Sequence, residues 1–347
     1  MTTKVTDEPV PGGRRPTMVD VARQAGVSLK TVSRVLNGES GVRPATAEAV
    51  EQAARELRFR RNESAAMLRR SGGRTHSVGL VIEDVSNPYY ATLTKAIEDV
   101  TRANGFLLVT ASSHGDVEDE RQIVRDLCAR RVEGLLIVPS NGDLAYLADE
   151  LEHGTVVVSI DRPARGINVD TVTVANAEGV RDAVSRLAAI GHRRIGFIGD
   201  TAHHTGDERM KGYRNALRKA GIRADRRYVH RVHDVVAARE AAQQLLALDE
   251  PPTAIFAGNN LLTRGVLEAL GARRSSIALV GFDDFAFADL LQPAVSVVNH
   301  DVTALGRLAA EQLLRRLGGE DSPHQQIVLS TSLIERGSGE IRPTLSR

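Results

Sequence analysis

Two textures in one chain predict a small all-α helix-turn-helix domain followed by a two-lobed α/β domain built on parallel sheets. Residues 16–60 repeat apolar side chains at helical spacing in three short blocks. From Ser77 onward, short apolar runs alternate with helical segments, the pattern of βαβ units. At 347 residues, 42% of them hydrophobic, the chain is long enough to bury more than one core.

Taken in order, residues 1–15 are rich in Pro, Gly and charge and read as a disordered basic arm. Residues 18–37 (MVDVARQAGVSLKTVSRVLN) hold two apolar-periodic segments that meet at Gly26. Val19, Val21, Ala22 and Ala25 precede it, and Val27, Val32, Val35 and Leu36 follow. Thr17, with Asp20 three residues on, marks the first helix start; Ser28 marks the second; Gly26 suits the left-handed turn that ends a helix. With Val32, Val35 and Leu36 inward, Leu29, Lys30, Thr31, Ser33 and Arg34 fall on the outer face. Long donors and hydroxyls at a helix start suit the reading of base edges and the gripping of phosphates, although a plain helical hairpin carries the same apolar pattern. After the turn NGESGVRP, Pro44 opens a third helix with Ala49, Val50, Ala53, Ala54 and Leu57 on one face. It completes a core that two helices cannot bury. Asn62 then caps a helical segment, 63–70, set among arginines. Too short to be stable alone, it is either a mildly helical linker or folds against something.

The wording TMVDVARQAGVSLKTVSRVLNG closely resembles the DNA-binding headpiece of the lactose-repressor (LacI) family of bacterial transcription regulators. The resemblance implies double-stranded DNA as partner, with a pseudo-palindromic operator read by two subunits. By match, Leu29, Lys30 and Arg34 read bases, while Thr17, Ser28, Thr31, Ser33 and Asn37 hold phosphates. NESAAMLRR is similar to the family's Asn-x-x-Ala-x-x-Leu hinge helix, which pairs with its dimer mate in the minor groove. There Asn62 is the cap, Ala65 allows close helix approach, Leu68 wedges between base steps, and Arg69 reaches the groove or phosphates. Glu63 stands where the family often has Pro, a charge suited to a helix start but close to DNA. The expected domains are the arm 1–15, a headpiece 16–60, a hinge and linker 61–75, and a two-lobed effector-binding and dimerisation domain 76–347 of periplasmic-binding-protein-like fold.

Charge follows the same division. The net charge is only +1, yet residues 1–77 hold 14 Lys and Arg against 8 Asp and Glu, whereas the remainder holds 31 against 36. The basic end is where a polyanion would sit. A single cysteine, Cys128, excludes an internal disulfide framework and points to a reducing compartment. Inside the apolar-periodic run IVRDLCARRVEG it reads as a buried structural thiol. No apolar h-region opens the chain and no run reaches membrane-spanning length, so a cytoplasmic protein, nucleoid-associated when bound to DNA, is expected.

In the second domain VGLVI, FLLVTA, GLLIVP, VVVSI, IGFIG, TAIFAG and ALVGF are the expected strands. The glycines of GHRRIGFIGD do not form a dinucleotide fingerprint, and neither a Walker lysine motif nor a Gly-x-Ser-x-Gly elbow occurs. His203 and His204 near Asp207 read as a solvent loop rather than a metal site. Asp283 and Asp284 are adjacent after a strand, point different ways and rarely share acid-base work. Catalysis is not expected, nor is a cofactor or metal. What remains is a cleft, because ligands of two-lobed α/β proteins bind beyond the carboxyl ends of strands. Asp84, Asp161, Asn259 and Asp283 each stand just after a strand. They suit hydrogen bonds to a polyhydroxylated ligand, and each equally suits capping of the helix that follows.

The family resemblance covers nearly the whole chain and implies a set of cleft contacts. NPYY is similar to the family's Asn-Pro-Phe-Phe and puts Tyr89 and Tyr90 at the cleft mouth for stacking. IDRP implicates Asp161, RMKGY implicates Arg209, AGNNLLTRG implicates Asn259, and VGFDD implicates Asp283. Asn260 replaces the usual Asp, Ala175 stands where Asp is common, and His233 aligns where relatives often place a stacking aromatic; the chain has no Trp. A sugar or sugar derivative is the implied effector, with a smaller sugar, nucleoside or acid left open. The chain ends without a leucine heptad, so a homodimer is expected rather than a tetramer. The resulting expectation is a sequence-specific repressor controlled by a small polar effector. A periplasmic-type solute-binding protein and a sugar- or nucleoside-processing enzyme are the other classes.

Overall fold

Helix-starting and helix-ending residues set the frame of the first unit. In the computed structural model, which describes residues 16–59, 75–200 and 203–343, helix α1 (Met18–Ala25) opens on a reciprocal cap. The Asp20 amide donates to Thr17 Oγ1 at 3.4 Å, and the Thr17 amide donates to Asp20 Oδ2 at 2.8 Å. Gly26 ends α1 at φ +66°, a backbone that other residues adopt only under strain. Ser28 caps α2 (Leu29–Leu36) by accepting the Thr31 amide at 3.2 Å, and Pro44 opens α3 (Pro44–Glu56). Val21, Ala22, Val32, Val50 and Ala53 form the buried core, ringed by Met18, Ala25, Val35, Leu36, Leu57 and Phe59. Val19, one of the expected apolar set, is 51% exposed, because the α1 stripe runs through positions 18, 21, 22 and 25. The arm 1–15 and the segment 60–74, with Asn62, Ala65, Leu68 and Arg69, lie outside the described residues.

The chain divides into two units, Met1–Thr75 and His76–Arg347, and the second is itself two-lobed. Lobe 1 runs β1 (Ser77–Ile82), α4 (Pro88–Ala103), β2 (Leu107–Ser112), α5 (Val117–Ala129), β3 (Gly134–Ile137), α6 (Ala148–Glu152), β4 (Val156–Ile160) and β5 (Asp170–Val174). Lobe 2 runs α7 (Asn176–Ala189), β6 (Ile195–Gly199), α8 (His204–Lys219), β7 (Val229–Arg231), α9 (Val235–Leu246), β8 (Ala254–Ala257), α10 (Asn260–Leu270), β9 (Ala278–Phe282) and β10 (Ser296–Asn299). The chain then returns to lobe 1 with α11 (Val302–Leu317) and β11 (Gln326–Leu329) and crosses back with β12 (Ser332–Ile334). The sheet orders are β11-β5-β4-β3-β1-β2 and β12-β10-β9-β8-β6-β7. All pairs are parallel except β10 with β12.

All seven expected apolar runs are strands, and most are buried on both faces, as helix-covered parallel strands must be. Strands β5, β7, β10, β11 and β12 carry no comparable apolar run; they are short, interrupted by polar residues or placed at sheet edges. Leu80, Leu136, Val158, Leu305 and Leu313 fill one face of the lobe 1 sheet; Phe197, Phe256, Phe282, Val184 and Tyr213 do the same in lobe 2. Cys128 on α5 is half-buried rather than fully buried, and burial pushes its thiol up to about 12, far from a nucleophile's range.

Each lobe pins its β5 or β10 strand at the first residue. Asp170 of β5 accepts Arg316 Nε at 2.7 Å, Arg316 Nη2 at 3.1 Å and the Gln325 amide at 2.7 Å. Burial alone would raise this carboxyl, but the Arg316 and Gln325 hydrogen bonds outweigh it and hold it below the usual range. Ser296 of β10 accepts the Arg336 and Gly339 amides at 2.9 and 3.1 Å and donates to Glu340.

Candidate functional site

The outer face of α2 presents Leu29 at 47% exposure beside the exposed Lys30, with Thr31, Ser33 and Arg34 partly covered. Arg34 is held back: Nη2 donates to the Ser40 carbonyl at 2.6 Å, and Nε lies 3.5 Å from Glu39. Asn37 donates to Glu39 at 3.1 Å, and the Ser28 and Thr31 hydroxyls pair at 2.9 Å. Thr17 and Ser28 thus serve as caps, and their α1 and α2 start amides are what a phosphate would meet.

In the second unit, strand ends from both lobes converge on one cleft. Asp161, the first residue after β4, and Asp283, the first after β9, both take left-handed backbone, φ +64° and +66°. That conformation is costly for a side chain other than glycine, and it swings each carboxylate into the cleft instead of letting it cap the next helix. Asp161 accepts Tyr89 Oη at 3.1 Å. Asp283 is buried; its Oδ1 has no hydrogen-bond partner, Oδ2 lies 3.8 Å from Arg209 Nη1, and His300 Nδ1 is 3.7 Å from Oδ1. Burial raises the Asp283 carboxyl, and the Arg209 and His300 charges only partly offset that.

Arg209, only 7% exposed, is fixed on three sides. Nε donates to Asn176 Oδ1 at 2.8 Å, Nη1 donates to the Gly258 carbonyl, and the guanidinium lies 3.6 Å over the Phe282 ring. Gly258 itself has no room for a Cβ, which would meet Gly199 Cα at 2.9 Å. A guanidinium so restrained can meet ligand oxygens without further ordering cost.

Some expected contacts stand differently. Tyr90 is not at the mouth: it is 5% exposed, and its hydroxyl donates to Glu83 at 3.3 Å beside Arg162. Both tyrosines line the cleft, but neighbouring residues on a helix point about 100° apart, so Tyr90 lies beneath rather than beside Tyr89 and their rings meet edge-on at 5.1 Å. Asn259 lines the cleft but spends its Oδ1 capping α10 on the Leu262 amide at 2.8 Å. Asp84 closes on Ser86, and it is Glu83, one residue earlier, that carries the strand-end carboxylate deeper into the cleft. Asp284 leaves the site to pair with Arg336, as adjacent residues should. His203 is not in a solvent loop: it is 4% exposed and its Nδ1 lies 2.9 Å from the Ser140 carbonyl of lobe 1, while His204 is exposed.

Glu83, Arg162, Asp200 and Asn87 are cleft residues that the sequence patterns do not single out. Glu83 and Asp200 are the first residues after β1 and β6, equivalent strands of the two sheets, so the strand-end criterion applied to the residue directly after each apolar run would find them. Asn87 caps α4 and also accepts Asn260 Nδ2 at 2.8 Å, a bond from lobe to lobe that no local pattern announces. His233, expected in the cleft, is there, with Nδ1 3.3 Å from Asp200; that hydrogen bond holds its imidazole above the usual range.

Comparison with known proteins agrees with both units. Residues 17–62 match the family of bacterial regulatory proteins of the lacI type, and residues 184–339 match the periplasmic binding protein-like domain. The HTH-type transcriptional regulator CelR of Thermobifida fusca is 36% identical over 94% of this chain and 99% of its own. The ribose operon repressor of Haemophilus influenzae is 30% identical over 93% and 98%. Among solved structures, a CelR–cellobiose complex aligns with a TM-score of 0.69 at 32% identity over 93% of this chain and all of that one. The lac repressor dimer bound to operator and the anti-inducer ONPF aligns with a TM-score of 0.76 at 25% identity over 94% and 99%. Among the described residues no helix is long and apolar enough to cross a membrane. A capped helix-turn-helix with polar side chains on its outer face, joined to a two-lobed domain with a polar cleft, makes this chain a member of the LacI family of bacterial transcription regulators.

Proposed function

We propose that the protein is a homodimeric transcriptional repressor whose affinity for a pseudo-palindromic operator is set by a sugar in the cleft. The cleft carries this reading: Asp161 and Asp283 reach it from opposite lobes on left-handed backbone, with Arg209 fixed beside them. Carboxylates accept from paired hydroxyls and a guanidinium donates to ring or hydroxyl oxygens, the needs of a polyol. The CelR–cellobiose complex among its relatives supports the sugar assignment. Asn259 lends its amide nitrogen, Tyr89 its ring edge, and Tyr90 the floor beneath Glu83.

On DNA, α2 of each subunit enters a major groove. Lys30, Arg34 and Leu29 read bases; Thr17, Ser28, Thr31, Ser33 and Asn37 hold phosphates; Asn62, Ala65, Leu68 and Arg69 form the paired hinge. Arg34 exchanges its Ser40 and Glu39 contacts for a base edge. The protein works in the cytoplasm, on the nucleoid when bound. Sugar binding links lobe arrangement to the hinge, and the linkage is reciprocal.

The test is selection of bound duplexes from a random pool, with and without a panel of mono- and disaccharides. A palindromic consensus whose recovery changes with one sugar is expected. Sugar binding without any enriched sequence would replace this reading with a solute-binding protein.

A further inference from the structure

Three side chains that the sugar reading does not need meet where the lobes face each other. Glu83 follows β1 in lobe 1; His203 follows β6 and His233 follows β7 in lobe 2. One ligand-capable atom from each lies within 4.8 Å of the others. His203 Nε2 stands 3.3 Å from Glu83 Oε2, and His233 Nε2 stands 3.9 Å from Glu83 Oε1. Zinc bonds of about 2.0–2.1 Å in tetrahedral geometry set neighbouring ligand atoms roughly 3.3 Å apart, so side-chain shifts of about 1–2 Å would bring the three atoms to that spacing.

The partners behind the rings favour a cation in front of them. The Ser140 carbonyl can only accept, so His203 Nδ1 carries the proton of the neutral ring. Nε2 then turns a lone pair toward the Glu83 carboxylate; it is buried and has no hydrogen-bond partner. His233 repeats the arrangement, with Asp200 behind Nδ1 and Nε2 facing Glu83. An oxygen acceptor behind one ring nitrogen and a free second nitrogen in front is how metal-binding imidazoles are oriented. Arg162 and Tyr90 both donate to Glu83 Oε2, so Oε1, 3.9 Å from His233 Nε2, is the oxygen offered to the ion.

We propose that Glu83, His203 and His233 form a divalent-cation site of the zinc class that joins the two lobes, its fourth position open to water or a ligand oxygen. Asp200 and the Ser140 carbonyl are positioning groups, holding the imidazoles. Because one ligand comes from lobe 1 and two from lobe 2, the ion binds only when the lobes are together and so biases their arrangement.

Metal-free full-length protein titrated with Zn²⁺ by calorimetry, without sugar or DNA, tests this independently of the effector reading. One ion per chain is expected, weakened about 100-fold or more by His233→Ala, a half-exposed side chain whose loss leaves the core intact, and likewise by Glu83→Gln. Asp200→Asn should weaken it about 10- to 100-fold, and His204→Ala should change nothing. Cobalt(II) in the same site should give the visible absorption of four-coordinate metal, abolished by His233→Ala. Absence of stoichiometric binding, or binding that survives both His233→Ala and Glu83→Gln, overturns the proposal; a His203–Glu83 contact bridged by a proton alone would give the first result.

Discussion

The two lobes share one strand order, yet they treat equivalent positions differently. Asp161 ends β4 and Asp283 ends β9, both with left-handed backbone, but Asp161 already holds the Tyr89 hydroxyl while Asp283 Oδ1 has no hydrogen-bond partner. The first residue of β5 is a buried carboxylate paired with Arg316, whereas the first residue of β10 is Ser296, held by backbone amides and Glu340. Lobe 1 satisfies its strand-end carboxylate internally; lobe 2 keeps one in reserve. A buried acceptor with no protein donor is one that a ligand hydroxyl can engage.

The largest expected effect tests the anchors. Asp170→Asn leaves Arg316 without its counter-charge and should cost about 3–5 kcal/mol of stability in urea titration. Because the folded Asp170 carboxyl is held low, its stabilisation is present above the ordinary value of about 3.9 and lost as pH falls through the lower folded value. The variant should therefore lose less stability than the parent as the pH drops below about 4. Ser296→Ala, the lobe 2 counterpart, should cost about 1–3 kcal/mol with no such acid limb. Equal costs would erase the contrast between the anchors.

Next come the strand-end carboxylates. Asp283→Asn should weaken effector binding in calorimetry by about 1.5–3 kcal/mol, since its Oδ1 is not engaged by any protein donor. Asp161→Asn should cost about 1 kcal/mol, because Tyr89 already engages it. The reverse order would mean that lobe 1, not lobe 2, carries recognition. The smallest effect concerns the join: Asn260→Ala removes one bond to Asn87, which still caps α4, so a loss of about 0.5–1.5 kcal/mol in urea titration is expected.

Much of this is legible locally. Thr17, Asp20, Gly26 and Ser28 fix the headpiece turns through bonds that span three or four residues, so the chain itself states them. Runs such as VGLVI and VVVSI announce central parallel strands because both faces must be apolar. The short strands β5, β7 and β10 to β12 are specified by the strands they pair with, and their own residues carry little signal. In the cleft, Asp161, Arg209, Asn259, Asp283 and His233 follow from motif resemblance, and all five line it. Tyr90 and His203 depart from expectation because their surroundings come from segments 72 and 63 residues away, at Arg162 and Ser140.

The sequence by itself determined the helix caps, the central strands, the division into a basic helical end and an α/β remainder, and the family. These depend on near neighbours and on which faces must be apolar, both written along the chain. Only the tertiary structure decided that Arg34 is tied to Ser40, that Asn260 meets Asn87, and that Glu83, His203 and His233 point at one another. Such meetings depend on distant parts of the chain being brought within reach of a hydrogen bond, in the second unit by two lobes between which the chain crosses.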